Sequence, residues 1–205
     1  MHPFSLFCER MRLNERVVVL LVALVAAASF APRATGSSPR TAAPAAQADS
    51  DSVFLRASAA SLDRMTPCSV TEVIDGDTIR CGALGRVRLL LIDSPERDQQ
   101  PWGRRAREAL AVLIPVGSEV RLESDVQPRD PFRRLLAYVY RSDGLQVNEM
   151  MVRNGFAEVL VYPPNVRHVD VLRRAREAAR DAKRGLWSTE AFDCAPRDHR
   201  AKACE

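Results

Sequence analysis

The sequence predicts a mainly β domain with helices, an α+β fold in which five strands close into a small barrel and about three helices pack around it. Three observations carry this. Short β-branched segments flank an Asp-Gly turn in "VIDGDTIR", Val73 to Arg80; a helix-period run follows the third strand; two more helical runs, each closed by a glycine, follow the fifth. That order of elements fits an OB-type barrel, whose strand faces and loops commonly bind oligonucleotides or sugars.

Taken in order, Ser69–Ile74 and Thr78–Cys81 form a hairpin, because Gly76 accepts positive φ and Asp side chains bond their own backbone. Arg86–Ile92 is a third strand with Val87, Leu89 and Leu91 on one face. Arg88 and Asp93 are an odd number of residues apart, so a straight strand would face them opposite ways, and the strand must bend or end before Asp93. Trp102–Ile114 places Ala106, Ala109, Leu110 and Leu113 at helical spacing and is stopped by Pro115. Glu119–Glu123 and Arg134–Tyr140 are the last two strands. Leu145–Asn154 is a helix closed by Gly155, and a charged helix from about His168 to Arg184 is closed by Gly185. Tyr138 and Tyr140 read as barrel or surface residues, and Trp187 as a core plug after the last helix. The run "RRAREAARDAKR" reads as the solvated face of a helix. His168 and His199 show no recognisable partner.

With 205 residues the chain has room for one ordinary domain and its tails. Residues 1–31 read as a signal peptide or N-terminal anchor. Arg10, Arg12 and Arg16 precede the apolar run Val17 to Ala28, which falls short of the about 20 residues a membrane span wants, so a cleaved export signal is favoured over an anchor. Residues 32–65 are Ala-, Pro- and Ser-rich and read as a flexible linker, 66–190 as the folded domain, and 191–205 as a cysteine-containing tail. The expected location is outside the cytoplasm, secreted or in the periplasm or cell envelope. The formal charge of +4 comes almost wholly from arginine and permits a nucleic-acid partner without arguing for one.

Setting aside Cys8 in the leader leaves Cys68, Cys81, Cys194 and Cys204, an even number that favours disulfides in an exported chain. Three pairings exist. Short local loops favour Cys68 with Cys81 and Cys194 with Cys204. Zinc is disfavoured, since no Cys-x-x-Cys pair or His cluster has ligand spacing.

Alone, "IDGDT" is a turn signal. A second acidic turn in "VRLLLIDSPE", Val87 to Glu96, makes it more: Asp75, Asp77, Asp93 and Glu96 all lie at strand ends, where a barrel can gather them. Hard oxygen donors suit Ca²⁺ or Mg²⁺, and there is no EF-hand loop of about twelve residues to make a closed cage. Arg88 and Arg134 sit in otherwise apolar strands. Guanidinium forks match phosphate oxygens, and a divalent metal beside arginines suits the charge of a phosphoryl transition state.

These motifs, with "RRLLAYVY", "VNEMMVRNGFAEV" and "RGLW", resemble the staphylococcal nuclease (thermonuclease) family in order and over most of Ser69 to Trp187. The resemblance implies a Ca²⁺-dependent phosphodiesterase on DNA or RNA, built on an OB barrel. It implies that Asp77 and Asp93 hold the metal, Ser94 lends a backbone carbonyl, Glu96 activates water, Arg88 and Arg134 bind phosphate, and Asp75 supports the site from behind. The substrate expected is single-stranded DNA or RNA, acted on by a monomer with no obligate protein partner. Family members commonly carry Tyr-Gly before the second arginine, where this chain has Phe132 and Arg133. The loop after Glu96 is shorter, and Tyr162 alone matches the family's nucleotide-contacting tyrosines. The rival reading is a catalytically weak nucleic-acid-binding or scaffold module of the cell envelope. A third is an envelope domain whose acidic turns hold Ca²⁺ for stability.

Overall fold

The computed structural model describes residues 54–204. The expected leader and most of the expected linker lie outside the described residues. Five strands close a barrel in the order β1 (Thr66–Val73), β2 (Thr78–Cys81), β3 (Gly85–Leu89), β6 (Leu135–Arg141) and β5 (Glu119–Glu123), which returns to β1. All neighbours are antiparallel except β3 and β6, whose parallel pairing sets Val87 against Leu135 and Leu89 against Ala137. The sequence expectation of an OB-type α+β barrel holds. A two-stranded ribbon, β4 (Ile92–Asp93) with β7 (Glu158–Val159), lies beside it.

Alternation along the strands fills the barrel: Ile79 and Cys81, Val87 and Leu89, Val120 and Leu122, Ala137 and Val139 are all buried. In β1 the buried positions run Cys68, Val70, Val73, because the pairing with β2 shifts between Val70 and Glu72 and resets the phase. Cys68 and Cys81 are bonded across this hairpin, and Cys194 is bonded to Cys204.

Helix α2 (Trp102–Leu113) buries Ala106 and Leu110; α3 (Val147–Arg153) is buried all along its length; α4 (Val169–Asp181) buries Leu172, Ala175 and Ala179 and leaves Arg173, Arg174 and Arg180 exposed. Two short helices, α1 (Ala59–Leu62) and α5 (Pro196–Arg200), raise the expected three to five. Among the described helices none is long and apolar enough to cross a membrane.

Several local expectations are corrected. The third strand stops at Leu89, not Ile92, and Arg134 precedes β6 instead of opening it. The end of the expected linker belongs to the folded body: the Leu55 amide donates to Glu149 at 2.5 Å, Arg56 bridges to Leu145, and Leu62 is buried. The plug after α4 is Leu186, while Trp187 is only half-buried and tilts against Phe192 at 4.5 Å.

His168 does have partners, and they fasten α4 to the barrel. Glu123, at the end of β5, accepts from His168 Nε2 at 2.9 Å, Arg167 at 2.7 Å and the Tyr140 hydroxyl at 2.9 Å. Burial pushes the Glu123 carboxyl upward, but these three donors outweigh it and hold its pKa at about 2. A depressed carboxylate stabilises the fold above its ordinary value of 4.5 and loses that contribution as pH falls toward 2. Glu123→Gln is expected to lower unfolding stability at pH 7 by about 1–2 kcal/mol. Urea titrations across pH should show the gap to the parent protein narrowing between pH 4.5 and about 2.

Candidate active site

The Asp75–Gly76–Asp77 turn joins β1 to β2, and the Asp77 amide donates to Asp75 Oδ1 at 3.0 Å. This turn packs directly on the second acidic segment. Gly76 does not take the positive φ expected of it; it is needed for close approach, since a Cβ there would stand 2.6 Å from the Ser94 Cβ and 2.7 Å from that of Ala106. Asp77 Oδ2 accepts from the Ser94 amide at 2.8 Å and from its hydroxyl at 3.0 Å. The Leu89 amide donates to the Asp77 carbonyl at 2.8 Å. The two turns are thereby laced together.

Between Arg88 and Asp93 the chain bends at Leu91, whose φ is 63°. Such a bend costs energy in a branched residue and needs support from its surroundings. Here the support is visible: Leu90 donates to Ala137 O, Asn148 Nδ2 donates to Leu90 O at 2.9 Å, and Leu160 donates to Leu91 O at 3.0 Å. The bend turns Asp93 back toward the strand it follows. Arg88 then spans both acids, with Nε 3.1 Å from Asp77 Oδ1 and NH2 3.1 Å from Asp93 Oδ1, while NH1 donates to Leu89 O.

Glu96 follows in the loop toward α2, half-buried, its amide donating to Gln99 Oε1 at 2.8 Å. Gly103 passes so close that a Cβ there would sit 1.9 Å from the Glu96 carbonyl oxygen. Arg134 is held by Asp130 through Nε at 2.6 Å and lies over the Phe132 ring at 5.6 Å. Arg133 stands just before it with φ 64°, the left-handed region where glycine is at ease. Asp75, Asp77, Arg88, Ser94, Glu96 and Arg134 all line one cleft of about 870 Å³; Arg133 does not. Exposed Phe132 and Tyr162 also line it. Asp93 is buried outside the lining and is reached through Arg88.

Burial, reinforced by the charge of Asp77, pushes Asp75 up to about 6. Burial also raises Asp93, against the opposing pull of Arg200 and Arg88. Asp75, Asp77 and Glu96 thus line the cleft with the guanidinium groups of Arg88 and Arg200, and Asp93 pairs with the same two guanidinium groups behind it. Such a surplus of anionic oxygen suits a hard dication held by Asp77 and Asp93. Among the described residues no group of three or more His, Cys, Asp or Glu side chains is gathered closely enough to hold a metal ion by itself.

Sequence reasoning missed Arg200, Gln99 and Asn148. Arg200, at the end of α5, reaches Asp93 and Glu96 from more than 100 positions away. Only the Cys194 and Cys204 pair hinted that the tail had a fixed shape. His199, expected to stand alone, lies 3.1 Å from Asp98.

Residues 86–189, just over half of the chain, match the family model described as staphylococcal nuclease homologue. The chain belongs to this family. The match begins at Arg86, so Asp75 and Asp77 precede it. Pairwise similarity to single relatives is consistent. The prophage-derived endonuclease YokF of Bacillus subtilis is 36% identical over 134 residues, 60% of this chain and 45% of that protein. Endonuclease YncB of the same organism is 35% identical over 139 residues, 63% of this chain and 65% of that protein. The thermonuclease of Staphylococcus intermedius is 34% identical over 126 residues, 58% of this chain and 74% of that one. The chain therefore spans less than two thirds of the length of the two Bacillus relatives.

Within this nuclease-homologue fold, Gly103 fixes where Glu96 lies. Gly103→Ala should force the Glu96 loop away from α2, destabilising the protein by about 1–3 kcal/mol. The checks are thermal unfolding and the chemical shifts of the Glu96–Gln99 amides.

Proposed function

We propose that this protein is a nuclease that hydrolyses phosphodiester bonds of DNA or RNA with the help of Ca²⁺. The observation that carries the reading is the meeting of Asp77, Glu96, Arg88 and Arg134 on one cleft, with Asp93 clamped behind it, in a member of the staphylococcal nuclease family. The names of the relatives, endonuclease and thermonuclease, point the same way.

Asp77 and Asp93, with Ser94 beside them, would hold the dication, which supplies charge neutralisation at a phosphate oxygen. Asp75 holds the Asp77 amide and so fixes the turn that presents the ligand. Glu96, half-buried at the cleft wall, accepts the proton of the attacking water. Arg134 brings a guanidinium fork to the scissile phosphate from the cleft wall, and Arg88, already aligned by the two acids, stabilises charge that develops on the phosphoryl oxygens. Phe132 and Tyr162 offer exposed aromatic faces on which unstacked bases can lie, which favours single strands. Contacts to phosphate carry no sequence information, so little sequence preference and a steep salt dependence follow.

We also place the protein outside the cytoplasm. The leader's arginines and short apolar run support export, and two disulfides suit an oxidising compartment. A monomer suffices, since every proposed group comes from one chain.

A zymogram on denatured DNA and on RNA tests the reading. Cleavage is expected with Ca²⁺ and none with chelator present. Glu96→Gln should retain the fold by circular dichroism and lose about 10²- to 10⁴-fold in rate. Arg134→Ala should lose about 10²- to 10³-fold. Unaltered cleavage by Glu96→Gln would remove Glu96 from its role, and no cleavage by the parent protein would leave a binding module.

A further inference from the structure

Arg200 meets Asp93 end-on, with NH1 3.0 Å from Oδ1 and NH2 3.0 Å from Oδ2. The same NH1 also contacts Glu96 Oε1. Two parallel bonds to one carboxylate are the strongest arrangement that a guanidinium offers. One tail residue therefore covers both oxygens of a proposed metal ligand and one oxygen of the proposed base.

The tail is built to hold Arg200 there. The bond between Cys194 and Cys204 closes a ring around α5. Ala191 and Pro196 are buried, and Phe192 packs on Trp187. Gln99 Nε2 donates to Cys194 O at 3.2 Å, and His199 Nε2 stands 3.1 Å from Asp98, so the strap is docked on the loop that carries Glu96. Gln99 is shared, because its Oε1 also accepts from the Glu96 amide. Arg197, on the same helix, is exposed, and its Nε lies 3.3 Å from its neighbour Asp198.

A dication seeking Asp93 and the Arg200 guanidinium want the same lone pairs. We propose that the C-terminal strap is an internal competitor: Arg200 occupies the acidic end of the cleft, and the strap must lift from Asp93 and Glu96 before a divalent cation binds and Glu96 is free to accept a proton. The proposal rests on the dication site proposed above. It assigns the tail an autoinhibitory role, with the disulfide ring setting how firmly the strap is held, since a closed ring leaves the detached tail fewer conformations to gain.

The test is calorimetric titration of the full chain with CaCl₂, folding being checked by circular dichroism. Arg200→Gln should bind Ca²⁺ at least fivefold more tightly than the parent protein. Cys194→Ser with Cys204→Ser, which opens the ring but keeps Arg200, should shift affinity in the same direction by a smaller factor. Arg197→Gln, an equal change of net charge on the same helix, should leave it unaltered. An affinity in Arg200→Gln within twofold of the parent, or weaker, overturns the strap while leaving the metal site standing. Equal tightening in Arg197→Gln also overturns it, since the effect is then one of net charge alone. If neither the parent nor Arg200→Gln takes up Ca²⁺ at millimolar concentration, the dication site itself fails and the strap's role falls with it. Should Arg200→Gln not fold, the ring-opened variant decides, with unaltered or weakened affinity counting against the proposal.

Discussion

Arg88 stands between Asp77 and Asp93 with a nitrogen 3.1 Å from each, and the rest of the site is arranged around that clamp. Burying charges is expensive, and their attraction repays the loss of water only when geometry is good and every remaining lone pair is used. Here most of the remaining lone pairs are used. Asp77 also takes three donors from Ser94 and Thr78, and Asp93 takes two from Arg200. Neither acid would be placed without the other's strand, because Asp77 belongs to the first hairpin and Asp93 lies beyond the third strand.

The barrel supplies the places where this clamp is assembled. Pairing of β3 with β6 is parallel, so the chain must travel from residue 89 to residue 135 through α2 and β5 before it returns alongside. That long connection carries Glu96 into the cleft near its start and Arg134 near its end. Helices α2 and α3 then back the two acidic turns, α2 through Ala106 against Gly76 and α3 through Asn148 against the bend. Packing and chemistry share residues.

How much of this is legible in the sequence depends on whether the signal is local. The hairpin, the inserted helix and the glycine-closed helices were readable because periodicity and turn chemistry act over a few residues. The odd spacing of Arg88 and Asp93 even demanded a bend, although not that it would fall at Leu91 with positive φ. Arg200 was unreadable for the opposite reason. Its partners are more than 100 residues away, and a lone arginine in a charged tail has no pattern to mark it. The partners of His168 were hidden similarly: Glu123 and Tyr140 come from two different strands, and only closure of the barrel sets them side by side. Phe132 and Arg133 depart from the family's pattern, yet Arg134 still lines the cleft, because Asp130 holds both its amide and its side chain.

The kink at Leu91 also limits how this family member can change. Side chains alternate along a strand, so losing or gaining one residue between Arg88 and Asp93 reverses the side on which the acid emerges. Three hydrogen bonds from different elements are matched to that one geometry, and none of them would follow a shifted chain. Variation in length therefore has to be accommodated elsewhere, in the loop beyond Glu96 or in the stretch before Arg134, while the four residues between the two charges stay fixed in number.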